Sequence, residues 1–94
     1  ANISCACAFQ FDGDVPSNIA MQLFDFYEYV VENTFDGLTS LLARFFHRDG
    51  SYFACIDVVC SLDLTKLEKE NLTVSVSEEN CYTLSFQVKE GDGK

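Results

Sequence analysis

The sequence has few of the residues that nucleic-acid binding and membrane association require. Only six Lys and Arg occur among 94 residues, they are scattered along the chain, and the formal net charge is −9. Because no basic stripe is present, contact with a phosphate backbone or with an anionic membrane surface is disfavoured. No run of about 18 apolar residues occurs, so the sequence predicts no membrane-spanning helix.

Glycine, histidine and paired cysteine motifs are also scarce. None of the five Gly belongs to a phosphate-binding loop of the Walker or dinucleotide type. His47 is the only histidine, and it lies at the end of a predicted strand, where we expect it to be exposed to solvent. The five Cys include no pair at the Cys-x-x-Cys spacing of a zinc site. The sequence therefore predicts no catalytic residue and no resident metal ion.

The cysteines are interpreted as reduced core residues, with disulfides or metal binding as the alternative. Cys5 and Cys7 are two residues apart in an alternating segment, so they share one face of a strand, where we expect small buried side chains. Free thiols are typical of the cytosol. The N-terminus does not have the basic start followed by an apolar run that is typical of a signal peptide. We therefore expect a cytoplasmic domain, either by itself or as the cytoplasmic part of a membrane-anchored parent.

The spacing of apolar side chains predicts an α+β domain. A long amphipathic helix is predicted from Ser17, as its N-cap, to about Phe35, with Gly37 in the left-handed conformation that ends a helix. A second, short helix is predicted over 64–70. Apolar residues at every second position, or at almost every position, predict five strands, over 3–11, 38–47, 51–59, 72–77 and 82–88.

This element order, β-α-β-β-α-β-β, predicts a two-layer sandwich. In a five-stranded mixed or antiparallel sheet with both helices on one face, the apolar faces of the strands and of the helices are buried against each other. The segment 51–59 is apolar at almost every position apart from Asp57, which is typical of a central strand. We expect residues 1–94 to form a single domain in which 90–94 is a flexible polar tail.

The end of the long helix carries the sequence Val31-Glu32-Asn33-Thr34-Phe35. This segment resembles the N-box of the GHKL ATP-binding domains of sensor histidine kinases, which lies on the helix after the first strand. The resemblance implies that Asn33 corresponds to the Asn that ligates the magnesium ion of ATP. It implies that Glu32, or Glu28, corresponds to the acid that activates water or a neighbouring group. Asp57, in the following hairpin, corresponds to the Asp that reads the adenine amino group.

The sequence departs from this family in its glycine-rich boxes. Val59 and Ser61 replace the two glycines that should follow Asp57, and no basic residue or His follows Asn33. Only 62–71 stands in place of the lid and the second glycine-rich box. Because no glycine-rich backbone remains to hold phosphates, neither ATP hydrolysis nor phosphotransfer is expected. We expect no cofactor, with Mg-ATP, bound through Asn33, as the alternative.

The resemblance thus implies a non-catalytic, shortened histidine-kinase-like ATPase domain. Such a domain acts as a protein-interaction module in bacterial two-component signal transduction, through a protein partner or by self-association. Two alternatives remain open. The charge of −9 suggests a small acidic inhibitor or decoy that covers a basic partner surface. The N-box residues suggest residual nucleotide binding without turnover, by Glu32, Asn33 and Asp57.

Overall fold

A computed structural model describes residues 2–91. Five strands form one sheet in the order β1-β2-β3-β5-β4, in which β1 runs parallel to β2 and the other neighbours are antiparallel. The predicted α+β class and five-stranded mixed sheet are confirmed. The elements are β1 (Ser4–Gln10), α1 (Ser17–Thr34), β2 (Leu38–Arg48), β3 (Ser51–Cys60), β4 (Leu72–Glu78) and β5 (Cys81–Lys89), with 3-10 turns at Phe35–Gly37 and Leu64–Lys66.

Two tight turns set the antiparallel pairs. Asp49 and Gly50 have φ angles of 52° and 77° and connect β2 to β3. Two consecutive positive φ angles give the turn whose twist matches that of the flanking strands. Asn80, with φ of 64°, lies in the turn between β4 and β5. The predicted hairpin loop at 48–50 is confirmed, and so is the central position of β3.

Helix α1 packs on one face of the sheet and connects the parallel strands β1 and β2. Phe26 is fully buried and stacks on Phe86 of β5, with ring centroids 4.8 Å apart. The core lies between α1 and this face of the sheet, so the opposite face is left without a covering layer. The buried side chains of α1 recur at helical spacing and meet alternate residues of the inner strands: Ile19, Leu23, Phe26, Val30, Leu41, Ala43, Phe45, Ala54, Ile56, Val58, Leu84 and Phe86.

The start of α1 differs from the prediction. Ser17 is the first helical residue rather than the N-cap, and its side chain caps nothing. Pro16 occupies the cap position, and its carbonyl oxygen accepts hydrogen bonds from the N–H groups of Ile19 (3.0 Å) and Ala20 (2.9 Å). The Asn18 side chain also accepts a hydrogen bond from the Ile19 N–H through Oδ1 at 3.1 Å, so groups other than the Ser17 hydroxyl satisfy the N–H groups at the helix start.

The prediction that Gly37 ends α1 in the left-handed conformation is wrong. The helix passes at Thr34 into the 3-10 turn Phe35–Gly37, and Gly37 does not have a positive φ. Glycine is needed there for space instead. A Cβ atom on Gly37 would lie 2.6 Å from Ser61 Oγ and 3.1 Å from the backbone nitrogen of Leu62. The Ser61 N–H donates to the Gly37 carbonyl oxygen at 3.0 Å, which holds the two segments together.

The predicted second helix over 64–70 is wrong. Only Leu64–Lys66 forms a 3-10 turn, followed by extended chain. Seven residues are too few to offset the cost of helix nucleation without strong tertiary contacts. The Asp63 carboxylate instead accepts hydrogen bonds from the Thr65 N–H (3.0 Å) and hydroxyl (2.6 Å), and Leu64 alone of the turn is buried. The observed order is therefore β-α-β-β-β-β, with one helix on the sheet.

The cysteines confirm one expectation and contradict another. All five are free thiols, and Cys60 is buried as predicted. Cys5 and Cys7, however, are exposed. They point to the helix side of β1, but the backbone of α1 lies over β3, between β2 and β5, so only side chains of α1 such as Tyr27 approach this edge strand.

The first residue of the predicted flexible tail, 90–94, is held by the turn between β2 and β3. At the C-terminal end, the Glu90 N–H donates to the Gly50 carbonyl oxygen at 2.9 Å. The rest of the predicted flexible tail, 92–94, lies outside the described residues. Within 2–91, no helix is both long enough and apolar enough to cross a membrane.

Candidate functional site

Glu32 and Asn33, the two N-box candidates, lie in the last turn of α1 on its solvent side. Both side chains are exposed, whereas the next residue, Thr34, is buried. The Asn33 Nδ2 group donates a hydrogen bond to the carbonyl oxygen of Tyr29, at 2.8 Å, one turn earlier in the same helix. The amide group of Asn33 is therefore already used in a hydrogen bond that stabilises the C-terminal end of α1.

Asp57, the third candidate, lies on the face of the sheet that no helix covers. Its carboxylate accepts a hydrogen bond from the Thr83 hydroxyl of β5 at 2.6 Å and lies 3.6 Å from Arg44 Nη2 of β2. Arg44, Asp57 and Thr83 thus form a row across three neighbouring strands. The Asp57 side chain is 43% exposed, so this row lies at the surface rather than in a closed site.

The structure does not bring the three candidates together. Ile56 and Val58, the neighbours of Asp57 along β3, are buried against α1, and side chains alternate between the two faces of a strand. Asp57 therefore points away from the helix that carries Glu32 and Asn33. The sheet itself separates the two groups, so one small ligand could not contact both in this conformation.

The segment 62–71, which the resemblance aligns with the lid and the second glycine-rich box, contains no glycine. The two Thr65 donors lower the pKa of Asp63, the hydroxyl contributing most, so the carboxylate stays ionised and keeps its cap. Leu64 anchors the segment in the core. Tyr29 of α1 adds a contact from its hydroxyl to the carbonyl oxygen of Glu68, at 3.4 Å. These contacts tie the segment to the fold and leave no loop to enclose phosphates.

The uncovered face of the sheet carries a shallow depression of about 370 Å³ near Asp57. Hydroxyl groups from four strands line it: Ser4, Ser40, Ser77 and Thr83. Its acidic members are Asp57 and Glu78, and no Lys or Arg lines it. A depression with this lining does not favour a nucleotide triphosphate, because its charge has the same sign as that of the ligand.

The sequence interpretation missed a second surface, on the helix side of the sheet. We name it the β1–α1 groove and define it by Cys5, Cys7 and Phe9 of β1 together with Ala20, Phe24 and Tyr27 of α1. At one end it opens into a cavity of about 150 Å³ whose lining is entirely apolar, formed by Phe9, Phe11, Val15, Ala20, Leu23, Phe24 and Phe45.

Large apolar side chains of the groove remain in contact with solvent. Phe9 is 59% exposed although its ring stacks on Phe45, and Phe24 is 54% exposed. Met21, one helical turn from Phe24, is 65% exposed. Clustered exposed apolar residues of this size mark contact surfaces more often than isolated ones do.

Tyr27 forms the inner wall of the groove next to the two exposed thiols. Burial raises the pKa of Tyr27, and a hydrogen bond and charge interaction with Cys7 raise it further. The phenol is therefore neutral at physiological pH. The groove offers a neutral, apolar floor, and only its surroundings carry charge.

One signal in the sequence could have revealed this groove. A helix is about 10 Å wide, whereas five strands about 4.8 Å apart span roughly twice that width. A single helix therefore covers only part of one face. Once the segment 64–70 is recognised as too short for a helix, an uncovered flank follows.

Comparison of the chain with protein-family models, with curated proteins and with solved structures gives no match. Any functional assignment therefore depends on the residues and their surroundings in this fold.

Proposed function

We propose that this chain is a non-catalytic, shortened histidine-kinase-like ATPase domain that acts as a protein-interaction module in bacterial signal transduction. The ancestry is supported by the order of the first elements, strand, helix, hairpin, and by the closing hairpin of β4 and β5. The residues Glu32, Asn33 and Asp57 support it further, since they stand at the family's positions along the chain.

The non-catalytic part is supported by the separation of those three residues. Phosphoryl transfer depends on positioning and on charge stabilisation at one site. Here Glu32 and Asn33 lie at the solvent side of α1, and Asp57 points to the opposite side of the sheet, towards Thr83. A site built from all three would require the sheet to be rearranged.

The interaction part is carried by the β1–α1 groove. It exposes Phe9 and Phe24, and the cavity beside them is lined only by apolar side chains, with no polar group that would orient a small substrate there. Small-molecule sites combine an apolar lining with a few placed polar groups, whereas protein contact surfaces centre on apolar and aromatic side chains. The groove therefore fits a macromolecular partner better than a metabolite.

Titration calorimetry with Mg-ATP tests the proposed loss of nucleotide binding. We expect no heat of binding up to millimolar nucleotide, and no shift of the melting temperature. A ligand that binds the folded state at one hundred times its dissociation constant stabilises it by about 2.7 kcal/mol, so melting is a sensitive second measurement.

A micromolar dissociation constant for Mg-ATP would overturn the proposal and favour residual nucleotide binding. The variants Asn33→Ala and Asp57→Ala then show which residue contributes. A variant that lacks a residue needed for nucleotide binding should no longer show the nucleotide-induced rise in melting temperature. If the shift persists in both variants, nucleotide binds elsewhere on the chain.

The charge distribution favours a second candidate function, an acidic inhibitor or decoy. Residues 1–43 contain six acidic residues and no Lys, Arg or His. If charge alone drives association, binding to a basic protein weakens steeply as salt is raised. Association that depends on Phe9 and Phe24 and persists at high salt supports the interaction module instead.

A further inference from the structure

We infer that the β1–α1 groove binds an amphipathic helix of a partner protein, with a narrow apolar stripe bordered by Lys or Arg. This inference rests on the proposed interaction function and names the chemistry of its partner. The groove has the dimensions of a helix, its surroundings are acidic, and that charge disfavours a second copy of the chain.

The dimensions of the groove fit a helix. α1 lies over β3 and β5, and the edge strand β1 is two strands away from β3. Two strand spacings amount to about 9.6 Å, which matches the 8–10 Å that separates packed helices. A helix laid beside α1 would therefore rest directly on Cys5, Cys7 and Phe9.

The length of the groove sets the length of its occupant. The distance from Cys5 to Phe9 along β1 is about 13 Å, since a strand rises about 3.3 Å per residue. A helix of roughly three turns covers this distance at 1.5 Å per residue. Side chains spaced three and four residues apart on such a helix would contact Phe9 and Phe24 and fill the 150 Å³ cavity between them.

The charges around the groove specify the borders of the partner stripe. Asp12 and Asp14 are exposed in the connection that closes one end, and Glu28 is exposed on α1 one turn after Phe24. No basic residue precedes Arg44 in the sequence, and Arg44 lies on the other face of the sheet, paired with Asp57. A complementary helix therefore places cations along the border of its apolar stripe that faces α1 and at the end that faces Asp12 and Asp14.

The same charges disfavour a second copy of this chain as the occupant. The groove is built from β1, α1 and their connection, and the region 1–43 that contains them has a net charge of −6. Two copies that meet groove to groove would bring these acidic borders together, which costs free energy at an interface. A basic partner gains from the same arrangement.

Fluorescence anisotropy with three labelled helical peptides tests the inference. One peptide carries a leucine stripe with Lys and Arg borders, the second has the same stripe with Glu borders, and the third is a scrambled version of the first. We expect the first peptide to bind with a dissociation constant at least about tenfold lower than those of the other two. Circular dichroism should show a gain of helix on binding.

Thiol alkylation followed by mass spectrometry locates the bound peptide. Cys5 and Cys7 are exposed in the groove, whereas Cys55 and Cys81 are half-buried on the opposite face. Bound peptide should slow the alkylation of Cys5 and Cys7 and leave the rate at Cys55 and Cys81 unchanged. Equal protection of all four thiols, or none at Cys5 and Cys7, overturns the inference.

Two exposed positions provide the variant and its matched control. Phe24→Ser should weaken the basic-bordered peptide about tenfold or more, as expected for an aromatic residue at the centre of a contact. Val76→Ser changes a residue of similar exposure, 55%, on the far edge strand β4, and should leave affinity unchanged. The charge reversal Glu28→Lys should weaken the basic-bordered peptide and strengthen the acidic-bordered one.

The remaining outcomes separate this inference from the proposed function. If the scrambled peptide binds as well as the first, charge alone drives association and the groove inference fails. If Cys5 and Cys7 become protected as the chain is concentrated without peptide, the occupant is a second copy. Mg-ATP binding overturns the proposed function but leaves the peptide result intact, whereas loss of peptide binding alone overturns only the groove.

Discussion

At the scale of single residues, the protein uses its polar side chains mostly for local structure. Asn33 and Thr34 both donate to carbonyl oxygens one turn back in α1, at 2.8 Å each. Asp63 caps its own turn, and Asp57 joins a surface row with Arg44 and Thr83. Asn33, Asp57 and Asp63 thus each have a structural partner in the fold. Glu32 is exposed on the solvent side of α1.

Replacement of Asp57 distinguishes a structural role from a functional one. Asp57→Ala removes the hydrogen bond from Thr83 and the ion pair with Arg44, both of which are partly exposed. We expect a loss of about 1 kcal/mol or less in the free energy of unfolding, because exposed ion pairs contribute little. Urea denaturation measures this change.

The variant Thr83→Val provides the control for Asp57→Ala. If the two side chains stabilise each other, the double variant should lose less than the sum of the single losses, with a coupling of about 0.5–1 kcal/mol. An increase in stability on Asp57→Ala would contradict the structural role. Gains of that kind are typical of residues held in a strained functional site.

At the scale of elements, the strands could be predicted because their apolar residues alternate. The observed bounds of all five strands lie within one residue of the predicted ones at each end. The prediction of a second helix is wrong because it depends on the helical spacing of Leu64 and Leu67. The segment is too short to form a helix on that spacing alone. Whether a short turn or a helix forms there depends on Asp63 and on the core around Leu64.

The junction after α1 shows a second limit of sequence reasoning. A glycine after a helix usually indicates a left-handed residue, and the sequence predicts that conformation for Gly37. The chain instead brings the segment at Ser61 and Leu62 against Gly37. Close approach between segments distant in sequence cannot be read from a local pattern, whereas the turn at Gly50 can.

Substitution of two glycines by alanine tests this account of the junction. Gly37→Ala places a Cβ within 3.1 Å of three atoms of Ser61 and Leu62, and we expect it to lower the free energy of unfolding by about 1–3 kcal/mol. Gly13→Ala meets no atom within 4 Å and should change stability by about 0.5 kcal/mol or less.

Urea midpoints of the two variants provide the comparison, with unchanged slopes as the sign of an intact fold. Adding Ser61→Ala to Gly37→Ala removes the nearest atom, Ser61 Oγ at 2.6 Å, and should recover part of the loss. Equal midpoints for Gly37→Ala and Gly13→Ala would contradict a packing requirement at Gly37.

At the scale of the whole molecule, the sequence indicates which residues are candidates for the site, but not where they lie relative to one another. The resemblance implies that Asn33 and Asp57 contact the same nucleotide, but the alternation of β3 turns Asp57 away from α1. The β1–α1 groove depends on which strands a single helix covers. That choice follows from the packing of Phe26 on Phe86, which is decided in three dimensions.

The charge of the molecule is also unevenly distributed. Six of its fifteen acidic residues lie in 1–43 without a single basic one. Among residues 2–91 only two ion pairs form, Arg44–Asp57 and His47–Glu90, and neither involves α1. Glu32 lies in the last turn of that helix, where the helix dipole disfavours negative charge and no basic residue is present. Self-repulsion should therefore lower the stability of the folded state.

Stability measured against salt concentration tests this repulsion. Two like charges about 10 Å apart repel by about 0.4 kcal/mol in water, and 0.1 M salt screens charges over about that distance. We therefore expect sodium chloride to raise the free energy of unfolding by about 1 kcal/mol in total. The triple variant Asp25→Asn, Glu28→Gln, Glu32→Gln removes half of the acidic residues of 1–43, so it should be more stable at low salt and gain less on adding salt. An equal gain in both proteins would indicate a general salt effect, and a loss of stability with salt would show that ion pairs outweigh repulsion.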